Sequence, residues 1–251
     1  MTYVTYERHS EGYGEITLQR PQKHNAINGE MIEEFESCLE QAKEDTISFL
    51  VITGAGDDTF CAGGDLHYFH GQLDNEHAFS HLYPMKEILH TILLFPVPTI
   101  CLLNGNAFGG GCELATSCDI RIAKADTRFG FTQSTLGIVP GWGGGTLLYE
   151  KVHTSFAFQW ITEGATYSVE KLYDKGWIHS IVTSEDFNDH SLILAPYIHK
   201  TIEQLEALKT QYKQQILALS LSARMNEEVR HCASLWNSPA HQHAVKQFLT
   251  K

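Results

Sequence analysis

The sequence predicts an α/β chain whose C-terminal part is helical. Three observations carry this reading. Short apolar runs bounded by turn residues ("SFLVITGAG", "VPTICLLNG", "DIRIA") have the character of interior strands. Segments with apolar residues at helical spacing lie between them. From about residue 143 onward almost every segment reads as helix. The chain divides at 1–185, the alternating core, and 186–251, a helical region suited to packing on that core or on a neighbouring subunit.

In chain order, "YVTYERH" and "GEITLQR" alternate and form a strand pair joined by "SEGYG". "NGEMIEEFESCLEQAKED" is a helix with acids in its first turn, where the helix dipole favours them. "SFLVITGAG" is a strand ending in a glycine loop. "NEHAFSHLYPMKEILHTILLF" is a helix expected to break or kink near Pro84, which has no N–H to donate. "VPTICLLNG" is the next strand, "GCELATSC" a short helix and "DIRIA" another strand. "DTRFGFTQSTLGIVPGWGGGT" is a long loop. "SFAFQWITEG", "SVEKLYDKG", "NDHSLILAPYIHKTIEQLEALKTQYKQQILALS", "SARMNEEVRHCASLWN" and "PAHQHAVKQFL" read as helices, and "WIHSIV" as a short strand.

Composition narrows the function classes. With 251 residues and 43% hydrophobic content, the chain can bury one large core, with or without a smaller appendage. A net charge of −12 argues against nucleic acid or an anionic membrane as the main partner. No apolar run reaches 18 residues, so no membrane span is expected, and the first residues lack the layout of a signal peptide. The six cysteines form no CxxC pair and several sit in apolar runs, as reduced thiols of a cytoplasmic protein do.

The chemistry is signalled by "NGNAFGGGCELATSCD" (104–119). Glycine destabilises a helix interior and glutamate is costly to bury, yet Gly109, Gly110 and Gly111 precede Glu113 between two interior strands. The Walker pattern fails for want of a lysine, the dinucleotide fingerprint fails on spacing, and GxSxG and HExxH are absent. His77 and His81 lie four apart, but a solvated helix face is the commoner cause of that spacing, and no metal is expected. What remains is a strand-to-helix turn whose first N–H groups have no intrahelical partner. Glycine admits a ligand oxygen to that backbone; tight packing of helix on sheet is the alternative. "DDTFCAGGDLHYF" repeats the arrangement, with Ala62, Gly63, Gly64 and Asp65 opening a helix after a strand. Two such turns can aim two N–H donors at one oxygen, with the Glu113 carboxylate alongside to move a proton.

On these residues the chain resembles the crotonase (enoyl-CoA hydratase/isomerase) superfamily. The resemblance runs through "LQRPQKHNAIN" (18–28), "FCAGGDL" (60–66), "VPTICLLNGNAFGGGCELATSCDIRIA" (97–123), "FGFTQSTLGIVPGWGGGT" (129–146) and the helical tail. It implies a crotonase-like ββα-spiral core, a homo-oligomer (trimer or dimer of trimers) built with the C-terminal helices, and an acyl-CoA thioester substrate whose coenzyme A is part of the substrate rather than a separate cofactor. It implies an oxyanion hole from the N–H groups of Gly64 and Gly110, with Glu113 as the first of two hydratase glutamates. Coenzyme A would lie along Lys23, His24, Ala26, Ala62, Asp65 and Leu66, with Lys23, Arg20 or Lys246 near its phosphates.

The chain departs from the hydratase pattern at one point. Where the resemblance implies the second catalytic glutamate, four residues before Gly137, stands Gln133. An amide cannot transfer a proton as an acid or base near neutral pH. Hydration or isomerisation would then rest on one carboxylate, with His67 or His70 the next groups to consider. "GIVPGWGGGT", with Trp142, is similar to a loop of a subgroup that includes ethylmalonyl-CoA decarboxylase. Decarboxylation of a substituted malonyl-CoA needs no base, because loss of CO₂ itself makes the enolate. A third expectation, from another class, is a non-catalytic subunit that binds coenzyme A or serves assembly; the intact "AGGD" and "GGGCE" turns speak for an enzyme.

Overall fold

The computed structural model describes residues 2–69, 75–217 and 220–250. The chain opens with an antiparallel pair, β1 (Val4–Arg8) and β2 (Gly14–Leu18), in which Val4 faces Leu18 and Arg8 faces Gly14. α1 (Gly29–Glu44) follows, its first turn capped by the Asn28 side chain, which accepts from the Met31 N–H at 3.0 Å. β3 (Leu50–Gly54), β5 (Thr99–Leu103) and β7 (Ile120–Lys124) then add in parallel beside β2. Each is followed by a three-residue strand in a second layer: β4 (Thr59–Cys61), β6 (Asn106–Phe108) and β8 (Arg128–Gly130). β4 leads to α2 (Leu66–Phe69) and α3 (Asn75–Leu93), and β6 to α4 (Gly110–Ser117). Each turn of the chain thus places one strand in each sheet and then a helix, which is the expected ββα spiral.

After β8 come α5 (Gly144–Lys151), α6 (Thr154–Glu163), β9 (Thr166–Ser168), α7 (Val169–Asp174) and β10 (Ser180–Val182). The completed sheets run β1-β2-β3-β5-β7-β10 and β4-β6-β8-β9. Helices α8 (His190–Ile198), α9 (Ile202–Leu217), α10 (Leu221–Leu235) and α11 (Pro239–Leu249) complete the chain.

Both faces of the large sheet are covered, which is why its central strands read as continuous apolar runs. Leu50, Ile52, Cys101 and Leu103 face the main core, shared with α1, α3, α4 and α10. Val51, Ile100, Leu102 and Ile122 face the other way, under Phe187, Leu194 of α8 and Leu205 of α9.

Two expectations change. α3 runs unbroken through Pro84, held by its packing on α10, α1 and α4; a proline removes one helix hydrogen bond, and tertiary packing outweighs that loss here. The long loop contains β8 and a tight helical turn over 132–136. Strands of three residues carry too little alternation to be read from sequence.

Candidate active site

β4 and β6 are parallel neighbours, so the chain leaves both at the same edge of the small sheet. This brings the two glycine turns together: a Cβ on Gly63 would stand 2.9 Å from the Phe108 carbonyl oxygen and 3.0 Å from the Gly110 nitrogen. Gly63 at φ 97° and Gly109 at φ 53° occupy backbone space that L side chains rarely adopt, and each immediately precedes the predicted donor, Gly64 or Gly110. Among the described residues, neither the Gly64 nor the Gly110 N–H has a protein acceptor. The Gly110 α-carbon lies against the six-membered ring of Trp142, with no room for a Cβ. Phe69 and Trp142 flank Gly64 in the same way, at 2.8 Å and 3.5 Å from the position its Cβ would take.

α4 is fixed at both ends. Arg121, fully buried, donates from Nη1 to the carbonyls of Cys118 at 2.7 Å and Ala115 at 3.3 Å, where a cation suits the negative end of a helix. At the other end, Glu113 lies in the first turn and is 2% exposed. Its Oε2 accepts from the N–H groups of Trp142 and Gly144, both at 2.9 Å. Its Oε1 accepts from Gln133 Nε2 at 2.8 Å and Gly141 N–H at 3.3 Å. Gly144 lies against the Glu113 side chain, again leaving no space for a Cβ.

The N–H donors favour the ionised form of Glu113, but burial and the nearby Glu228 carboxyl oppose it more strongly. Its pKa is pushed up from 4.5 to about 8, burial being the larger cause. Near neutral pH this group is an acid rather than a base. Gln133 is 7% exposed, and its Oε1 is buried without a partner.

These groups share one cavity of about 570 Å³. The structure brings together most of the residues predicted for the site: Gly64, Gly110, Glu113, Gln133 and Trp142 line it, as do Lys23, His24, Ala26, Ala62, Asp65 and Leu66. Arg20 and Lys246 are not among its lining residues. Arg20 is committed elsewhere, donating to Asp65 Oδ2 at 2.6 Å and to the Ala26 carbonyl at 2.9 Å. It braces the rim instead of presenting a free cation. His81 Nδ1 is 2.9 Å from the His77 carbonyl oxygen, and among the described residues no cluster of three or more metal-ligating side chains occurs. His70 and the His67 side chain lie outside the described residues.

Sequence reasoning missed Phe69, the α11 residues Phe248 and Leu249 at the cavity wall, and Glu228 behind Glu113. For Glu228 a signal existed: it falls within the apolar stripe of α10 formed by Leu221, Met225, Val229 and Cys232.

Residues 8–251 match the model of the family described as enoyl-CoA hydratase/isomerase. This chain belongs to the enoyl-CoA hydratase/isomerase family. Relatives within it are similar along almost the whole chain. Ethylmalonyl-CoA decarboxylase of Bos taurus is 27% identical over 247 residues, 96% of this chain and 80% of that protein. A probable enoyl-CoA hydratase of Bacillus subtilis is 29% identical over 241 residues, 94% of this chain and 92% of that one. The solved enoyl-CoA hydratase of Bacillus halodurans superposes with a TM-score of 0.87 over 98% of this chain and 99% of its own, at 21% identity. The crotonase-like fold, with its C-terminal helices, is therefore the fold of this chain.

Proposed function

We propose that the protein is an acyl-CoA lyase that releases CO₂ from a substituted malonyl-CoA. The observation that carries this reading is Glu113, a buried acid with pKa near 8 whose neighbour is the Gln133 amide. The likeness to ethylmalonyl-CoA decarboxylase of Bos taurus, over 96% of this chain, supports it.

In this reading the thioester oxygen sits between the N–H groups of Gly64 and Gly110. The bond from the α-carbon to the carboxylate breaks, its electron pair enters the thioester as an enolate, and CO₂ leaves. The two N–H groups stabilise the charge that develops on oxygen, the kind of contact whose removal costs ~10²–10³ in rate. Glu113 gives its proton to the α-carbon, and solvent restores it. The sum is a proton consumed, a saturated acyl-CoA and CO₂. Aromatic walls from Phe69 and Trp142 favour neutral CO₂ over the substrate carboxylate and keep water from the enolate. Gln133 adjoins the reacting carbon without placing a second anion there. Lys23, His24, Ala26, Ala62, Asp65 and Leu66 would line the coenzyme A path.

Two further elements belong to the same reading. Leu192, Leu208, Leu235, Phe248 and Leu249 are exposed apolar residues on the C-terminal helices, as expected of a trimer or dimer of trimers. The six cysteines are all free and buried, in keeping with a reducing, cytoplasmic setting; among the described residues, no helix is long and apolar enough to cross a membrane.

The competing reading is hydration on a single carboxylate, supported by the likeness to the Bacillus subtilis probable enoyl-CoA hydratase. Steady-state assays of CO₂ release from ethylmalonyl- and methylmalonyl-CoA, alongside hydration of crotonyl-CoA, separate the two. The expected result is CO₂ release with weak or no hydration. Gln133→Glu should raise hydration and impair decarboxylation, because a second anion repels the substrate carboxylate. Hydration at ~10² s⁻¹ by the natural protein, within the usual enzyme range, overturns the proposal. Binding of coenzyme A without turnover of any thioester would point to the non-catalytic alternative.

A further inference from the structure

The α5 N-terminus is shared by two carboxyl groups from distant parts of the chain. Gly144 N–H goes to Glu113, and the next two N–H groups, Gly145 at 3.1 Å and Thr146 at 2.5 Å, go to Glu228 on α10. The two carboxyls thus cap three consecutive amides of one helix end, close enough that the Glu228 carboxyl raises Glu113's hold on its proton. A helix N-terminus offers roughly half a positive charge, enough to favour one anion and too little for two.

Among the described residues, no cation is bonded to either carboxyl; Lys151, in the last turn of α5, donates to the Cys118 carbonyl and the Tyr212 hydroxyl. α5 contributes Tyr149, α4 contributes Cys112 and α10 contributes Cys232, all uncharged in this setting. Arg224, one turn before Glu228, is paired with Glu150 at 2.8 Å. Lys86 of α3 is bonded to Glu87 and Ser222, and His241 Nδ1 of α11 lies 2.6 Å from the Leu136 carbonyl oxygen. Among the described residues, none of these is bonded to either carboxyl.

We propose that Glu228 is a positioning residue for the reaction: a proton shared between its carboxyl and that of Glu113 keeps Glu113 in its donor form. This rests on the reading of Glu113 as the proton donor. Glu228 is not itself among the residues lining the cavity; it acts through Glu113, as a reservoir that makes the pair hold one proton and one negative charge. After Glu113 has protonated the α-carbon, two facing anions remain in a dry site, and their repulsion draws in the next proton. Burial raises the affinity of both groups for it.

The experiment uses the full-length protein with and without substrate. Infrared pH titration without substrate should show a buried protonated carboxyl that ionises near pH 8. Glu228→Gln offers Glu113 an amide donor in place of a second acid, so the ionisation should move down by more than about one unit. CO₂ release should then lose its high-pH limb to the same extent, about tenfold in rate for each unit the limb moves below the assay pH. Glu228→Asp should return the limb toward its natural position. Should Glu228→Gln not fold, Glu113→Gln serves: its remaining carboxyl must no longer titrate near pH 8. A carboxyl still ionising there in either amide variant overturns the proposal. So does a Glu228→Gln enzyme slowed by the same factor at every pH, which is what loss of mere packing would give. If the infrared shifts occur but the natural protein decarboxylates no thioester, the shared proton stands and the proposed reaction falls.

Discussion

At the end of β4, Gly63 at φ 97° turns the chain so that the Gly64 N–H is left without a protein acceptor; at the end of β6, Gly109 at φ 53° does the same for Gly110. The bracing of the two turns differs. The first leads into α2 and leans on the Phe69 ring, on backbone pairing with Ile27 and on the Arg20–Asp65 ion pair. The second begins α4, whose eight residues are all buried, whose far end is held by Arg121, and whose near end is tied through Glu113 to the 141–144 loop. A ring can rotate, whereas a buried helix anchored at both ends cannot shift without breaking polar contacts. The same backbone device thus occurs once in a turn held mainly by one ring and one ion pair and once in a turn held at both ends of a buried helix.

Changes to the α4 turn should be the more damaging. Glu113→Gln removes the proton donor while keeping an acceptor for the loop amides; CO₂ release should fall by ~10²–10⁴, measured as kcat. Gly110→Ala should fall by ~10²–10³, because the new methyl meets the Trp142 ring. Adding Trp142→Ala should recover part of that loss, and no recovery would mean that the collision is not the cause. Gly64→Ala meets only the edge of Phe69, so a loss of roughly tenfold, well short of a deleted oxyanion donor, is expected. Equal losses at Gly64 and Gly110 would erase the distinction between the turns.

The smallest effect is on stability. Glu113 holds its proton to about pH 8 when folded and releases it near 4.5 when unfolded, so unfolding sheds a proton between those limits. Stability therefore falls as pH rises from 4.5 through 8 and levels off beyond. Calorimetry at pH 5 and pH 8.5 should show the natural protein losing roughly 10 °C more in Tm than Glu113→Gln. Parallel curves would mean that Glu113 is already ionised in the fold.

Much of the site was legible before the fold was known. The interior strands announce themselves by apolar runs, and the glycines of "AGGD" and "GGGCE" are conspicuous because nothing else explains them so near a core. Gln133 was legible only through the family resemblance, since a lone amide in a loop carries no pattern. The small sheet was not legible, because its strands are three residues long. Glu228 was legible in part, three residues after Met225 and four before Cys232 on the apolar face of α10, but only the packing of α10 on α5 shows what it meets there. The commitment of Arg20 to Asp65 is likewise a long-range fact, joining residues 45 positions apart.

The pairing of α5 with Glu228 also sets a schedule for the newborn chain. The amides of Gly145 and Thr146 wait for a carboxylate made 83 and 82 positions later. At ribosomal speeds, that interval is on the order of 4–16 s. During it the segment that will cradle Glu113 has its helix end uncapped and its core face unroofed by α10. The active site is therefore among the last parts of the molecule to be finished, and a message cut short before Glu228 would yield a protein with both glycine turns and no completed acid.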